Sequence, residues 1–203
     1  MMEVYDITGI NVTIPHKQAV LSFLKSVSPA AEKIQAVNTI TRNLEGDNTD
    51  WIGIAKTLDR FEPGGKNVLL LGAGGAAFAA AFYFRERGAK LSIANRTEEK
   101  AKVLAKRFEG KAVPIPELKP EYDIVINASP VCPAEPASFV KEGCVVMDMV
   151  YPTSSLLEEA EKLGAITFSG ETMLIHQGAA AFEKWHGVSP DIFAMEKAFR
   201  EAE

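Results

Sequence analysis

The chain has 203 residues, long enough for one large or two small domains with a real core. With 47% hydrophobic and 24% charged residues and a net charge of -5, it has the composition of a soluble globular protein, and the acidic balance argues against nucleic acid or an anionic membrane as the main partner. The N-terminus lacks the basic-then-apolar pattern of a signal peptide, no apolar run reaches a membrane span of about 18 residues, and Cys132 and Cys144 follow no metal-ligand spacing, so the expectation is a cytoplasmic protein with reduced thiols, no metal and a small-molecule substrate.

In chain order, Ile10 to Ile14 reads as a short strand stopped by Pro15. Val20, Leu21, Phe23 and Leu24 give His16 to Val27 a helical period, which places Lys17 where strand gives way to helix. Ser28-Pro29 opens a short helix through Lys33, Ala36 to Thr41 alternates like a strand, and Arg42 to Gly46 reads as a turn. Asp47-Asn48-Thr49-Asp50 leads into a helix over Trp51 to Phe61, and Pro63-Gly64-Gly65 is the clearest linker signal.

From Lys66 onward strand and helix alternate as in βαβ units, which predicts a parallel sheet with right-handed crossovers. Val68 to Leu71 is a buried-strand run that enters Gly72, Gly74 and Gly75 and then an alanine-rich helix. Gly72 suits the tight turn, Gly74 the close approach of backbone to a pyrophosphate, and Ala77 stands where the third glycine of G-x-G-x-x-G/A permits close packing; a glycine-rich turn without a nucleotide is the plainer alternative. Further strands are predicted at Lys90 to Ala94, Ala112-Val113, Asp123 to Asn127, Cys144 to Asp148 and Ala165 to Phe168, with helices at Thr97 to Phe108 and Ser154 to Leu163 and a short one near Ala137. Such a set suits a dinucleotide-binding sheet of order 3-2-1-4-5-6. Two tail helices, Thr172 to Trp185 and Asp191 to Ala202, complete the chain.

The second strand of a dinucleotide fold ends beside the adenosine ribose, where a carboxylate selects NAD. Here it ends in Asn95-Arg96-Thr97, a guanidinium and a hydroxyl suited to a 2'-phosphate, which favours NADP; the alternative makes Thr97 only a helix N-cap and Arg96 a solvated charge. A nicotinamide enzyme also needs a group that takes or gives the alcohol proton. Lys17 and Asp50 are the preferred pair, each following a polar segment at a helix start, although a lysine there is usually solvated and an aspartate usually caps. His16 reads as a helix-start residue, His176 and His186 have no metal partner, and Trp51, Trp185, Phe78, Phe82 and Phe84 read as packing residues.

NVTIPHK (Asn11 to Lys17), AVNTI (Ala36 to Ile40), GDNTDWIG (Gly46 to Gly53), GAGGAA (Gly72 to Ala77), NRT (Asn95 to Thr97), INASP (Ile126 to Pro130) and HQGAAAFEKW (His176 to Trp185) follow in order over nearly the whole chain. Together they resemble the shikimate dehydrogenase family. The resemblance implies NADP-dependent interconversion of shikimate and 3-dehydroshikimate. By position, Lys17 and Asp50 take the family's catalytic pair, and Thr13, Asn38, Tyr151 and Gln177 its substrate contacts. Gly72, Gly74, Gly75 and Ala76 align with the pyrophosphate loop, and Asn95, Arg96 and Thr97 with the 2'-phosphate clamp. The implied fold is α/β, a Rossmann-type doubly wound parallel sheet over residues 63–171 with a truncated α/β substrate domain, residues 1–62 completed by 172–203.

Two departures stand out. Family members carry an upstream strand, helix and second strand with a Ser-x-Ser segment that binds the substrate carboxylate, and this chain starts after it. The expectation is an open sheet edge covered by a second copy in a homo-oligomer, or a chain with weak turnover. Cys132-Pro133 replaces the family's usual Gly-Met on the nicotinamide side, where Pro133 stiffens the loop. Competing readings keep the fold and change the substrate to quinate or another cyclic polyol acid, or make the chain a non-catalytic NADP-binding module.

Overall fold

The computed structural model describes residues 6–151 and 154–201. The chain divides into two compact units, one from the described parts of Met1–Lys56 and Thr172–Glu203 and one from Thr57–Glu171. The division falls inside a helix, and Pro63-Gly64-Gly65 forms a turn within the second unit, closed by Lys66 N–H donating to the Pro63 carbonyl at 3.0 Å.

The second unit is built on β5 (Asn67–Leu71), β6 (Lys90–Ala94), β7 (Lys111–Ala112), β8 (Ile124–Asn127), β9 (Val145–Asp148) and β10 (Ile166–Phe168). They form one six-stranded sheet of order β10-β9-β8-β5-β6-β7 in which all pairs are parallel, the 3-2-1-4-5-6 arrangement that the strand spacing predicts. Side chains alternate across the sheet. Leu69, Leu71, Val125 and Val146 pack into one core cluster with Phe139, Leu156 and Ala160, while Leu70, Ile126 and Met147 on the opposite face are fully buried as well. Such two-sided burial is why these strands read as unbroken apolar runs. Helices α3 (Gly75–Glu86), α4 (Glu98–Arg107) and α5 (Ser155–Lys162) supply the covering layers, and each buried leucine-sized side chain contributes about 1.5–3 kcal/mol.

The first unit carries a four-stranded sheet of order β1-β3-β4-β2, from β1 (Gly9–Asn11), β2 (Ser26–Val27), β3 (Thr39–Thr41) and β4 (Glu45–Asp47). Helices α1 (Pro29–Ile34), α2 (Asp50–Thr57), α6 (Gly170–His186) and α7 (Ile192–Glu201) accompany it. Ser28 caps α1 by accepting the Ala31 N–H at 3.1 Å, with Pro29 at the first helical position.

Two expectations are corrected here. The helix expected over His16 to Val27 is only a 3-10 turn at Ala19–Phe23, after which Leu24 is extended and β2 begins. Its backbone has better partners elsewhere: Lys25 N–H donates to the Leu44 carbonyl and Ser28 N–H to the Gly46 carbonyl, both at 2.9 Å. Val20, Leu21, Leu24 and Val27 still pack on Ala31, Val37 and Ile40, so the apolar spacing was a core signal without being a helical one. The segment expected as a plain turn, Arg42 to Gly46, instead closes a hairpin, with Leu44 at φ 63° and β4 pairing antiparallel with β3.

Candidate active site

Lys17 lies in the turn before the 3-10 segment, and the surrounding backbone is pinned to the start of β3. The Val37 N–H donates to the Lys17 carbonyl and the Val12 N–H to the Asn38 carbonyl, both at 2.8 Å. Its ammonium reaches Asp50 Oδ2 at 2.7 Å, with side-chain exposures of 13% for Lys17 and 5% for Asp50. With so little water at either group, each charge depends on the other, and loss of one partner leaves the other uncompensated. Asp50 is the first residue of α2, and its own N–H donates to Asn48 Oδ1 at 3.0 Å, so the carboxylate is aimed by a turn as well as by its partners.

Asn38 joins the pair. Its Nδ2 lies 2.9 Å from Asp50 Oδ1, 3.0 Å from Thr49 Oγ1 and 3.2 Å from Gln177 Oε1, and its Oδ1 accepts the Thr49 N–H at 2.7 Å and the Thr39 hydroxyl at 3.0 Å. Gln177 projects from α6 and donates its Nε2 to the Leu174 carbonyl at 3.0 Å. The first unit therefore brings Lys17, Asp50, Asn38 and Gln177 into one connected polar group. Thr13 is exposed, and its carbonyl accepts the His16 N–H at 2.8 Å. Tyr151, 37% exposed, belongs to the second unit.

Thr39, Asn48 and Thr49 stand inside the AVNTI and GDNTDWIG motifs without a role of their own there, yet they are 1%, 0% and 0% exposed. Their signal was a run of consecutive polar residues beside buried strands, where polar groups must be hydrogen-bonded.

In the second unit, Gly72 has φ 109°, a conformation L side chains rarely adopt, and a Cβ there would sit 3.0 Å from the Ala128 carbonyl carbon and oxygen. Gly74 precedes α3 in extended conformation, and a Cβ at Gly74 would meet nothing within 4 Å. The turn thus offers an open cradle before a helix whose leading N–H groups, on Gly75, Ala76 and Ala77, have no intrahelical acceptor. Those donors and the positive end of the helix dipole fit an anionic pyrophosphate. At the end of β6, Asn95 Nδ2 folds back onto the Thr97 carbonyl at 2.9 Å, and Arg96 is exposed. Thr97 occupies the N-cap position of α4, but its side chain makes no capping hydrogen bond, so capping does not account for its hydroxyl. An exposed guanidinium and a hydroxyl beside it fit a 2'-phosphate.

Beyond β8 the loop carries Cys132, whose thiol donates to the Ala134 carbonyl at 3.2 Å. Burial pushes this thiol above its ordinary range, with Asp148 and Glu135 adding to the effect. Cys132 and Cys144 are both free. Among the described residues no group of His, Cys, Asp and Glu side chains could hold a metal ion, and no helix is long and apolar enough to cross a membrane.

Comparison with known proteins gives these arrangements a context. Residues 1–40 match the shikimate dehydrogenase substrate binding domain, residues 55–135 the shikimate / quinate 5-dehydrogenase domain and residues 170–198 the shikimate 5'-dehydrogenase C-terminal domain. A shikimate dehydrogenase (NADP(+)) of Carboxydothermus hydrogenoformans is 42% identical over 97% of this chain and 79% of its own length. The crystal structure of shikimate 5-dehydrogenase from Thermus thermophilus in complex with NADP(H) and shikimate superposes with a TM-score of 0.90 at 38% identity, covering 99% of this chain and 82% of that one. Quinate dehydrogenase from Corynebacterium glutamicum in complex with NAD follows at a TM-score of 0.88 and 30% identity, over 98% of this chain and 80% of that one. The ordered motifs, the parallel sheet and these likenesses agree, and the chain belongs to the shikimate dehydrogenase family.

Proposed function

We propose that the chain interconverts shikimate and 3-dehydroshikimate with NADP, a step of aromatic amino acid biosynthesis. The observation that carries this reading is the part-buried Lys17–Asp50 ion pair at 2.7 Å, tied to Asn38 and through it to Gln177. A lysine held this way can take or give the proton of a ring hydroxyl at Nζ, and Asp50 orients it while accepting a hydroxyl hydrogen bond. Asn38 and Gln177 add amide groups that suit a polyhydroxylated ring, and Thr13 adds a hydroxyl; for Tyr151, in the second unit, the family motif supports a substrate contact. The first unit, with its C-terminal helices, serves as the substrate domain and the second as the NADP domain. Gly72, Gly74, Gly75 and Ala76 would hold the pyrophosphate, and Asn95, Arg96 and Thr97 the 2'-phosphate. When bound, NADP supplies the hydride-accepting nicotinamide ring.

The proton chemistry belongs to this chain and is testable. NADPH absorbance is followed with shikimate, with quinate and with neither, for the wild type and Lys17→Ala. Turnover of shikimate that falls at least a thousandfold in the variant supports the assignment, within the range general acid–base groups contribute, about 10²–10⁴. Activity that survives the substitution removes Lys17 from the role. Tight NADPH binding without turnover of either acid makes the chain an NADP-binding module.

We place the reaction in the cytoplasm, where free thiols stay reduced. A second copy of the chain is proposed to cover the edge of β1 that is unpaired among the described residues, a strand bearing Ile10 at 38% exposure near Ile14 at 64%. Light scattering that finds a stable monomer at micromolar concentration would sink this assembly.

A further inference from the structure

Leu71, Asn127 and Asp148 stand in one row at the ends of β5, β8 and β9, side by side in the parallel register. Asn127 and Asp148 are each 1% exposed, so two polar side chains lie buried where an open parallel sheet receives its ligand. Asn127 Nδ2 donates to Asp148 Oδ1 at 2.9 Å and to the Ser129 carbonyl at 3.1 Å, and Asn127 Oδ1 accepts the Ser129 N–H at 3.1 Å. Asp148 Oδ1 also accepts the Val150 N–H at 2.9 Å, while Oδ2 has no partner among the described residues. The direction of each bond is fixed by chemistry: the Ser129 N–H needs an oxygen, and the Ser129 carbonyl needs a donor. A carboxylate beside the amide admits only the orientation that satisfies both.

What the amide holds is the floor of the glycine turn. The Ala128 N–H donates to the Leu71 carbonyl at 2.8 Å, and a Cβ on Gly72 would meet the Ala128 carbonyl at 3.0 Å and the Ser129 nitrogen at 3.1 Å. Fixing Ser129 therefore fixes the backbone against which Gly72 turns.

We infer that Asp148 and Asn127 are positioning residues for the cofactor side of the reaction: Asp148 sets the Asn127 amide, the amide holds both backbone groups of Ser129, and Ser129 keeps the Ala128–Pro133 loop seated on the glycine turn. This rests on the NADP reading of that turn. The pair works through the direction of its hydrogen bonds, so two substitutions that each exchange nitrogen for oxygen, or the reverse, in side chains of nearly the same shape must behave differently. Asp148→Asn can keep Oδ1 as acceptor for Asn127 and Val150. Asn127→Asp puts an oxygen where Nδ2 stood, facing both Asp148 Oδ1 and the Ser129 carbonyl.

The test is amide hydrogen exchange at Ser129 in the cofactor-free protein, with kcat, KM and the Kd for NADPH measured alongside. Asn127→Asp is expected to speed exchange at Ser129 at least tenfold and lower kcat about tenfold or more with the KM for shikimate unchanged, since a displacement of about 1 Å near the chemistry can cost 10²-fold. Asp148→Asn is expected to stay within about threefold of wild type in both. Asn127→Ala, which adds no charge, gives the same loosening at Ser129 and decides the matter where Asn127→Asp fails to fold. Equal effects of the two near-isosteric substitutions, or unchanged Ser129 exchange in Asn127→Ala, overturn the inference. A wild type that binds no NADPH defeats the cofactor reading instead, and the exchange data still judge the pair.

Discussion

Asp50 divides its two oxygens between Lys17 at 2.7 Å and Asn38 at 2.9 Å and is 3% exposed. Removing Lys17 therefore leaves a buried carboxylate with half of its partners, and breaking such a pair from one side costs about 3–5 kcal/mol. Lys17→Ala should lose stability as well as turnover. Lys17→Ala combined with Asp50→Asn should regain most of the stability, because the charge that lacked a partner is gone, and none of the activity. Urea unfolding of wild type and the two variants reads the first effect and NADPH absorbance the second; a double variant no more stable than Lys17→Ala would mean that the unpaired Asp50 carboxylate is not what destabilises the single variant. A second residue acts on cofactor choice. Arg96 is exposed, so Arg96→Asp leaves the fold alone while it exchanges a phosphate partner for a carboxylate able to accept the ribose 2'-hydroxyl of NAD. A charge-assisted bond is worth about 1.5–3 kcal/mol, so the KM for NADP should rise roughly tenfold to a hundredfold and the KM for NAD should fall. An unchanged NADP to NAD preference in steady-state assays would refute the clamp.

Between elements, Asp123 ties the starts of two strands. Its Oδ2 accepts the Asn67 N–H at 2.9 Å and its Oδ1 accepts from Lys141 at 3.0 Å. The Asn67 N–H first, and Lys141 second, hold its carboxyl below the ordinary value of 3.8. A folded value below the unfolded one stabilises the fold fully above the unfolded value, and the contribution fades as pH falls through the folded one. Asp123→Asn should therefore be less stable than wild type at pH 7 by about 1 kcal/mol or less, given a partly exposed side chain, and the gap should shrink at a pH below the ordinary value of 3.8. Urea midpoints at both pH values check this, and a gap that widens in acid contradicts it. Sequence signals for elements were uneven for a physical reason. The second unit was readable strand by strand because burial on both faces leaves uninterrupted apolar runs between glycines. In the first unit the spacing of Val20, Leu21, Leu24 and Val27 fits a helix as well as it fits the core they fill. Glu45–Asp47 gave no strand signal because its central residue is a glycine, and the space a side chain would take is already filled: a Cβ on Gly46 would lie 2.3 Å from Leu24 Cδ1. Of the site, the charged pair and the amides Asn38 and Gln177 stood out through their motifs. Thr39 and Thr49 carry no role within theirs, because a threonine in a strand or before a helix is ordinary local chemistry until its hydroxyl is seen buried against Asn38. Asp148 reads only as a strand end, and Asn127 as a strand end inside the INASP motif with no role of its own.

The first unit is assembled from both ends of the chain, whereas the second is a run of neighbouring βαβ steps. Asn38 meets Gln177 across 139 residues of sequence, and the Trp185 indole donates to the Ile40 carbonyl across 145, at 3.1 Å. Lys184, on the same helix, pairs with Asp47. Contacts of that separation carry a large loop-closure cost and form only once the intervening chain has been made compact. The second unit can then be expected to reach its folded state without α6, and the first cannot. A chain ending at Glu171 should bind NADPH with a Kd within about fivefold of wild type, because the glycine turn and the Asn95–Thr97 corner lie wholly inside the second unit. The same chain should neither bind nor turn over shikimate, since Gln177 is gone and β3 has lost the Trp185 indole that ties it to α6 through the Ile40 carbonyl. Trp185→Phe probes the same anchor in the intact chain: it keeps an aromatic ring and removes the indole N–H, which should cost the first unit about 0.5–1.5 kcal/mol and raise the KM for shikimate while leaving NADPH binding unchanged. Calorimetric titration of each variant with NADPH and with shikimate separates the two ligands, and shikimate binding that survives truncation would show that Asn38, Lys17 and Asp50 hold their places without the C-terminal helices.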